Sequence, residues 1–382
     1  MDPSITLLRD LIAIDSVNPS LVPGAAGEGQ ISEAVAAHLR RLGLDVDVQE
    51  VVAGRANVIG VLDGRAPGRS LMLCGHLDTV GVDGMTAPFD PVERGGRLYG
   101  RGAQDMKGGV AAMIDAARLI AESGGLVAGR LIVTAVVDEE YESIGADALV
   151  TRWRADGAVV TEPTDMNIAV GHKGFAWYDV ETRGRAAHGS RPRDGRDAIL
   201  RMGRVLHELE ALDRRLQAVP PHPLMGTASL HASLIEGGRE LSSYPDRCSL
   251  KLERRTVPGE TEQQVTAELA AILSGLRRDD PEFDAALTPL FSRPAYELSA
   301  QHALPRALLR AVEARGSTDS DRDFTGMSFW TDAAVLGSAG IPSVLFGPGG
   351  AGLHSAEEYV EIEDVLRCRD ILAALARAWC VA

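Results

Sequence analysis

The chain contains no uninterrupted apolar stretch approaching the ~20 residues needed to span a bilayer, so no membrane segment is expected. It is also short of positive charge. Lys and Arg number 39 against 54 Asp and Glu, a formal net charge of −15. That balance argues against a nucleic-acid or anionic-membrane partner, because both carry the same sign. The opening MDPSITLLRDLIAIDSVNP has no basic segment followed by an apolar run, so no secretory signal is expected. Cysteine is sparse and scattered: Cys74, Cys248, Cys368 and Cys380 fit neither a zinc-knuckle nor a redox spacing. Cys74 lies within the apolar run LMLCGH, where a buried, inert thiol is expected. A reducing cytoplasm is the expected setting. Aromatic residues make up only 4% of the chain, and no repeat or low-complexity segment is visible. The remaining composition, 45% hydrophobic and 24% charged, is that of a soluble globular protein. At 382 residues it exceeds what one core usually serves, and two domains are expected.

The first part of the chain alternates helical and strand patterns. QISEAVAAHLRRLGL repeats apolar residues at helical spacing (Ile31, Val35, Leu39, Leu42), and Gly43 is placed to end that helix. RSLMLCGH, GRLIVTAVVDEE and DGAVVTEP carry apolar runs typical of strands covered on both faces. GGVAAMIDAARLIAESGG, between the first two, reads as a small-residue helix bounded by glycines. That order predicts a doubly wound, mostly parallel sheet of the α/β class. Near residue 175 the character changes. FAWYDVETRG, ASLHASLIEGG and CSLKLERRTVPGE read as strands, and DAILRMGRVLHELEALDRRL and ETEQQVTAELAAILSGL as helices. This is an inserted α+β domain with one open sheet. Near residue 293 the chain returns to helix and strand segments, LPRALLRAVEARG, DAAVLGSAG and IPSVLFGPGG. VPGAAGEG (22–29) reads as a flexible loop near the mouth of the site.

What the chain does have is a particular grouping of acids and histidines. GHLDTV places His76 and Asp78 at a strand end, and GRGAQDMKGG places Asp105 in the following glycine-rich loop. VVDEE puts Glu139 and Glu140 at a second strand end, VVTEP puts Glu162 at a third, and LHSAEE supplies His354. Taken singly, each acid is ordinarily a solvated loop residue or a helix N-cap. Together they are hard to explain independently, because ligands of doubly wound sheets gather outside the carboxyl ends of the strands. Two imidazoles with several carboxylates at such ends are what a pair of divalent metals requires.

In these motifs and their order the chain resembles the dinuclear zinc amidohydrolases that include acetylornithine deacetylase, succinyl-diaminopimelate desuccinylase, aminoacylase and the glutamate carboxypeptidases. The resemblance spans nearly the whole length. It implies a catalytic domain of residues 1–174 with 293–382, and a lid of residues 175–292 that commonly also dimerises. It implies two divalent metals, Zn²⁺ foremost, with Co²⁺ or Mn²⁺ as substitutes. Asp105 would bridge them, His76 and Glu162 would complete one, and Glu140 with His354 the other. Asp78 would take the free imidazole N–H of His76. Glu139 would be the general base, the alternative being Glu139 as ligand beside a bystander Glu140. A cis peptide is implied at Asp105–Met106.

The resemblance also assigns roles in the lid. His188, in GRAAHGSRP, would stabilise the developing oxyanion as the lid closes and excludes water, reaching across from a neighbouring subunit in dimeric relatives. The bland alternative is an exposed loop histidine. Arg255 would grip a substrate carboxylate. Its neighbour Arg254 falls on the face of Leu250 and Leu252, which favours Arg255 for that task. Ser242, in ELSSYPDR, occupies the place of an asparagine that helps bind substrate in many relatives, and its hydroxyl lacks an amide's paired donor and acceptor. Gly349, within GPGGAG, would either offer a backbone N–H to a substrate carboxylate or simply form a turn. The expected activity is hydrolysis of an N-acyl amino acid, as in acetylornithine deacetylation. The alternatives are desuccinylation, dipeptide or carboxypeptidase cleavage, attack on a non-peptidic C–N bond, or a catalytically silent binding homologue.

Overall fold

Apolar strands covered on both faces need helices on both sides, and the chain supplies them. The computed structural model describes residues 2–315 and 324–381. It divides into two compact units, one formed by Met1–Gly171, Leu298–Thr325 and Thr331–Ala382, the other by His172–Glu297 with Gly326–Trp330.

The first unit is built on a sheet whose strands run in the order Asp45–Val52, Arg55–Asp63, Arg130–Val136, Ser70–His76, Gly157–Val160, Ser343–Leu345 and Ala169–His172. The four strands from Arg130–Val136 to Ser343–Leu345 are mutually parallel, and antiparallel neighbours extend the sheet on either side. Leu71, Leu73, Leu131, Val133, Val159 and Val344 are fully buried, as strands covered on both faces require. Gly43 has φ +81° just past the helix Gly29–Arg41, the left-handed turn that ends a helix at glycine. At Gly109 the helix Gly108–Glu122 approaches the neighbouring strand so closely that a Cβ would lie 2.0 Å from the Thr161 carbonyl. The short antiparallel strands Val92–Arg94, Arg97–Tyr99, Tyr359–Glu361 and Gly350–Ala351 form a second sheet, which ties the Asp105 loop to the HSAEE segment.

The second unit is an antiparallel sheet in the order Ser229–Gly237, Arg247–Thr256, Gly174–Arg183, Asp284–Arg293. Its two long helices, Ala198–Ala218 and Glu262–Asp279, bury Met202, Val205, Leu209, Leu269 and Leu273 against Tyr178, Val180, Leu250 and Leu252. The strand Asp284–Arg293 was not expected from the sequence. Pro289 lies within it and its register slips between Pro289 and Phe291, so no clean alternation marks it.

All four cysteines are buried and free. Burial pushes the Cys74 and Cys368 thiols far up and Cys380 to about 11, so Cys74 is the inert thiol expected. No helix among the described residues is long and apolar enough to cross a membrane.

Candidate metal centre

Three parallel strands end on the same side of the sheet, and each delivers part of one cluster. Ser70–His76 ends on His76, Arg130–Val136 runs into Asp138, Glu139 and Glu140, and Gly157–Val160 runs into Glu162. Asp105 comes from the irregular stretch Ala103–Lys107 that feeds the helix Gly108–Glu122, and its peptide bond to Met106 is cis. His354 comes from the loop after Gly350–Ala351.

The two oxygens of Asp105 face two imidazoles. Oδ1 lies 3.1 Å from His76 Nε2, and Oδ2 lies 3.4 Å from His354 Nε2. His76 Nε2 is also 3.8 Å from Glu139 and 4.0 Å from Glu162, while His354 Nε2 is 3.1 Å from Glu140. Ligand atoms of His76, Glu139 and Glu162, and of His76, Asp105 and Glu140, each converge tightly enough to hold one ion. Glu140 Oε1 is buried with no hydrogen-bond partner, although its other oxygen meets His354.

The electrostatics say the same. Burial and the charge of Glu162 push the Glu139 carboxyl well above its ordinary value. Burial, with Asp105 among the nearby charges, does the same to Glu162. Burial and Asp105 raise Glu140 to about 7. Burial works against ionising Asp105 too, but His354 and His76 outweigh it and hold that carboxyl below the usual range. Hydrogen bonds to Asp105 and Glu140 lift His354 to about 10. Four carboxylates thus crowd two imidazoles with too little positive charge among them. Nitrogen and carboxylate donors in that ratio, one oxygen of them orphaned, fit two divalent cations.

Asp78 does more than was expected of it, and in a different way. The nearest partner of His76 Nδ1 is the Asp78 carbonyl, at 2.9 Å, with the carboxylate at 3.5 Å. A carbonyl acceptor at Nδ1 fixes the ring so that Nε2 is the ligating nitrogen. The Asp78 carboxylate instead accepts the backbone N–H groups of Glu139 and Glu140, both at 3.1 Å, and the Asn18 amide at 2.8 Å. It positions the glutamate pair.

Several supporting residues were missed in the sequence. Glu28, in the stretch expected to be only a flexible loop, is fully buried. Arg55 reaches Glu28 with two nitrogens at 2.6 Å and Asp138 at 2.7 Å. Asn18 then links Asp138 to Asp78. Glycine and alanine around Glu28 signalled a loop correctly but said nothing of what its acid touches. On the other side, the buried Glu358 carboxylate accepts the backbone N–H groups of Gly102, Gln104 and Asp105 and pairs with Arg101 at 2.8 Å. Glu358→Gln replaces an acceptor with a donor facing those amides. We expect metal affinity to fall roughly 10–100-fold, read by metal titration, with the fold retained.

The other candidates lie elsewhere. His188, Ser242 and Arg255 belong to the second unit. His188 is exposed, and its Nδ1 lies 2.8 Å from the Ser190 hydroxyl and 3.2 Å from the Ser190 backbone nitrogen. Ser242 is exposed too, and its carbonyl accepts the Gly189 N–H at 2.7 Å, so the two loops are joined. Arg254 is buried against Glu260 at 2.5 Å, whereas Arg255 is half-buried on the opposite face, as strand alternation implies. The Gly349 N–H donates to Asp364 at 3.2 Å. That hydrogen bond joins the GPGGAG loop to the helix Ile362–Cys380.

A doubly wound sheet with such a cluster at its strand ends carries a candidate dinuclear metal site, and the family to which the chain belongs makes it a hydrolase of C–N bonds. The description of Peptidase family M20/M25/M40 matches residues 72–378, and the chain belongs to this family. It is 32% identical to an acetylornithine deacetylase of Myxococcus xanthus, covering 98% of this chain and 96% of that protein. It is 31% identical to N-formyl-4-amino-5-aminomethyl-2-methylpyrimidine deformylase of Bacillus subtilis (strain 168), over 98% and 94%. A tripeptidase of Staphylococcus aureus subsp. aureus Mu50 shares the fold, with a TM-score of 0.82 at 20% identity over 98% and 97% of the two chains.

Proposed function

We propose that the protein hydrolyses the amide bond of an N-acyl amino acid, in the manner of an acetylornithine deacetylase. The observation that carries this reading is Asp105, whose two oxygens each face an imidazole while Glu139 stands beside them. Asp105 would be shared by both metals, His76 and Glu162 would hold one, and Glu140 with His354 the other, Zn²⁺ being the first candidate. Bound there, the pair supplies Lewis acidity and a water acidified toward neutral pH. Glu139 takes a proton from the attacking water and delivers it to the leaving amine. Asp78 keeps Glu139 and Glu140 oriented through their backbone N–H groups. His188 offers its Nε2–H to the oxyanion. Arg255 holds the substrate carboxylate, with Ser242 as an adjoining polar contact.

A second reading is hydrolysis of a non-peptidic C–N bond. The pyrimidine deformylase relative favours it, being as similar to this chain as the deacetylase within one per cent of identity. The test is amine release from N-acetyl, N-succinyl, dipeptide and N-formyl aminomethyl-arene substrates, with metal-stripped and Zn²⁺- or Co²⁺-reconstituted protein. Metal-restored release of a free amino acid from an N-acyl substrate is the expected result. Release from the formyl arene alone would install the second reading, and release independent of metal would sink both.

The second unit is also proposed to form a homodimer. Its edge strand Ser229–Gly237 exposes Leu234 and Ile235, and the helix Ala198–Ala218 exposes Leu200, at 64%, 56% and 71%. An apolar sheet edge left open is a pairing surface. A monomeric mass in solution would exclude the dimer.

A further inference from the structure

The face of the second unit's sheet opposite its helices carries a block of four interlocked side chains. Across the ladder between Arg247–Thr256 and Gly174–Arg183, Arg255 stands opposite Phe175 and Glu253 opposite Trp177. Glu253 is only 8% exposed, and each of its oxygens has a separate partner. Oε1 accepts Arg255 Nε at 2.6 Å, and Oε2 accepts the Trp177 indole N–H at 2.7 Å. Trp177 in turn packs on Phe175, with ring centroids 4.9 Å apart, and on Phe291 at 5.9 Å. The Arg255 guanidinium carbon lies 5.6 Å above the Phe175 ring. Of these rings Phe175 backs the Arg255 guanidinium, and Trp177 reaches it through Glu253.

A guanidinium held at Nε from one side and backed by a ring keeps its two terminal nitrogens for a further partner. Those nitrogens form the fork that makes parallel hydrogen bonds to a carboxylate. Without the Nε contact, the long side chain would sample several rotamers, and ordering it would weigh against binding. A buried carboxylate beside the anchor also offsets part of its positive charge, which weakens raw attraction. What Glu253 contributes is therefore orientation.

The geometry points to Glu253 as a positioning residue for the substrate's carboxylate: by bridging Arg255 to Trp177 it holds the Arg255 fork in one orientation. This rests on the reading of Arg255 as the carboxylate anchor. A carboxylate that merely satisfied the Trp177 indole would serve the sheet and leave substrate discrimination untouched.

The test uses the metal-loaded enzyme with the best-cleaved N-acyl amino acid and its carboxamide analogue, which lacks the charge. Glu253→Gln, Arg255→Ala and the double variant are compared with wild type. Glu253→Gln is expected to raise KM for the acid roughly tenfold. It should leave kcat within about twofold, spare KM for the carboxamide, and add nothing in the Arg255→Ala background. A Glu253→Gln variant with unchanged KM, or one whose effect is equal for both substrates or additive with Arg255→Ala, overturns the inference. If Arg255→Ala itself leaves KM for the acid unchanged, the anchor reading falls and the inference with it. Trp177→Phe keeps a ring against Phe175 and removes only the indole donor, so it guards against a Glu253 variant that fails to fold. It too should raise KM for the acid selectively, and no rise would count against the bridge.

Discussion

Glu139→Ala is expected to retain its metal and to lose turnover by roughly 10²–10⁴, the range a positioned general base contributes. Its backbone is pinned by Asp78, and its carboxylate stands 3.8 Å from His76 Nε2. Burial and the neighbouring Glu162 keep that carboxyl's affinity for protons well above the ordinary carboxylate range. Bound cations would pull it back toward neutrality, where a base both accepts and returns a proton efficiently. His76→Ala is the contrasting variant. It removes the imidazole against which Asp105, Glu139 and Glu162 converge, and metal content and activity should fall together. The two variants are separated by measuring bound metal per chain beside kcat. Turnover retained in Glu139→Ala would overturn its role as base. Metal lost in Glu139→Ala would instead make it a ligand, a role its distance from His76 allows.

Arg55→Met is expected to cost about 3–5 kcal/mol of folding stability, because it strands buried carboxylates without their cation. The side chains of Arg55, Glu28 and Asp138 are 9%, 0% and 1% exposed, so solvent cannot take over the pairing. Burial opposes the charge on Arg55, but Glu28 and Asp138 overcome it and hold the guanidinium protonated. The loss is a large part of what an ordinary domain has to spare. It is read as the change in urea midpoint of the metal-free protein, at unchanged slope. A pH dependence should accompany it. Burial already raises the Glu28 carboxyl, and without Arg55 the folded state would hold that proton to still higher pH than the unfolded chain. A raised folded pKa contributes stability at low pH that is lost as pH rises through it, so the deficit should be smaller near pH 5 than near pH 8. Arg55→Lys should fall between, keeping the charge and losing the fork. A Met variant as stable as wild type at neutral pH would show that the network carries no such weight.

The difference between these two residues also shows what could be read in advance. The place of Glu139 was legible because it lies two residues past an apolar run ending at Val137, and a parallel strand buried on both faces has its ligand-bearing residues at its end. The strand-end places of His76 and Glu162 were legible for the same reason, and the burial of Arg254 rather than Arg255 because side chains alternate along a strand. Arg55 was not. Its partners lie 27 and 83 positions away, and nothing in RANVIG distinguishes a buried arginine from a solvated one. Glu358 was hidden likewise, its amide donors lying more than 250 positions earlier.

The sequence by itself determined the doubly wound sheet, the strand-end places of His76, Glu139, Glu140 and Glu162 and the class of chemistry, because hydrophobic periodicity and strand-end motifs are local and repeat with a fixed period. Only the tertiary structure decided that Asp78 meets His76 through its carbonyl, that the Gly349 N–H donates to Asp364, and that Glu28, Arg55, Asn18 and Glu358 brace the centre. The reason is physical. A hydrogen bond depends on which groups folding brings within about 3 Å of each other and shields from water, and a linear pattern does not contain that distance.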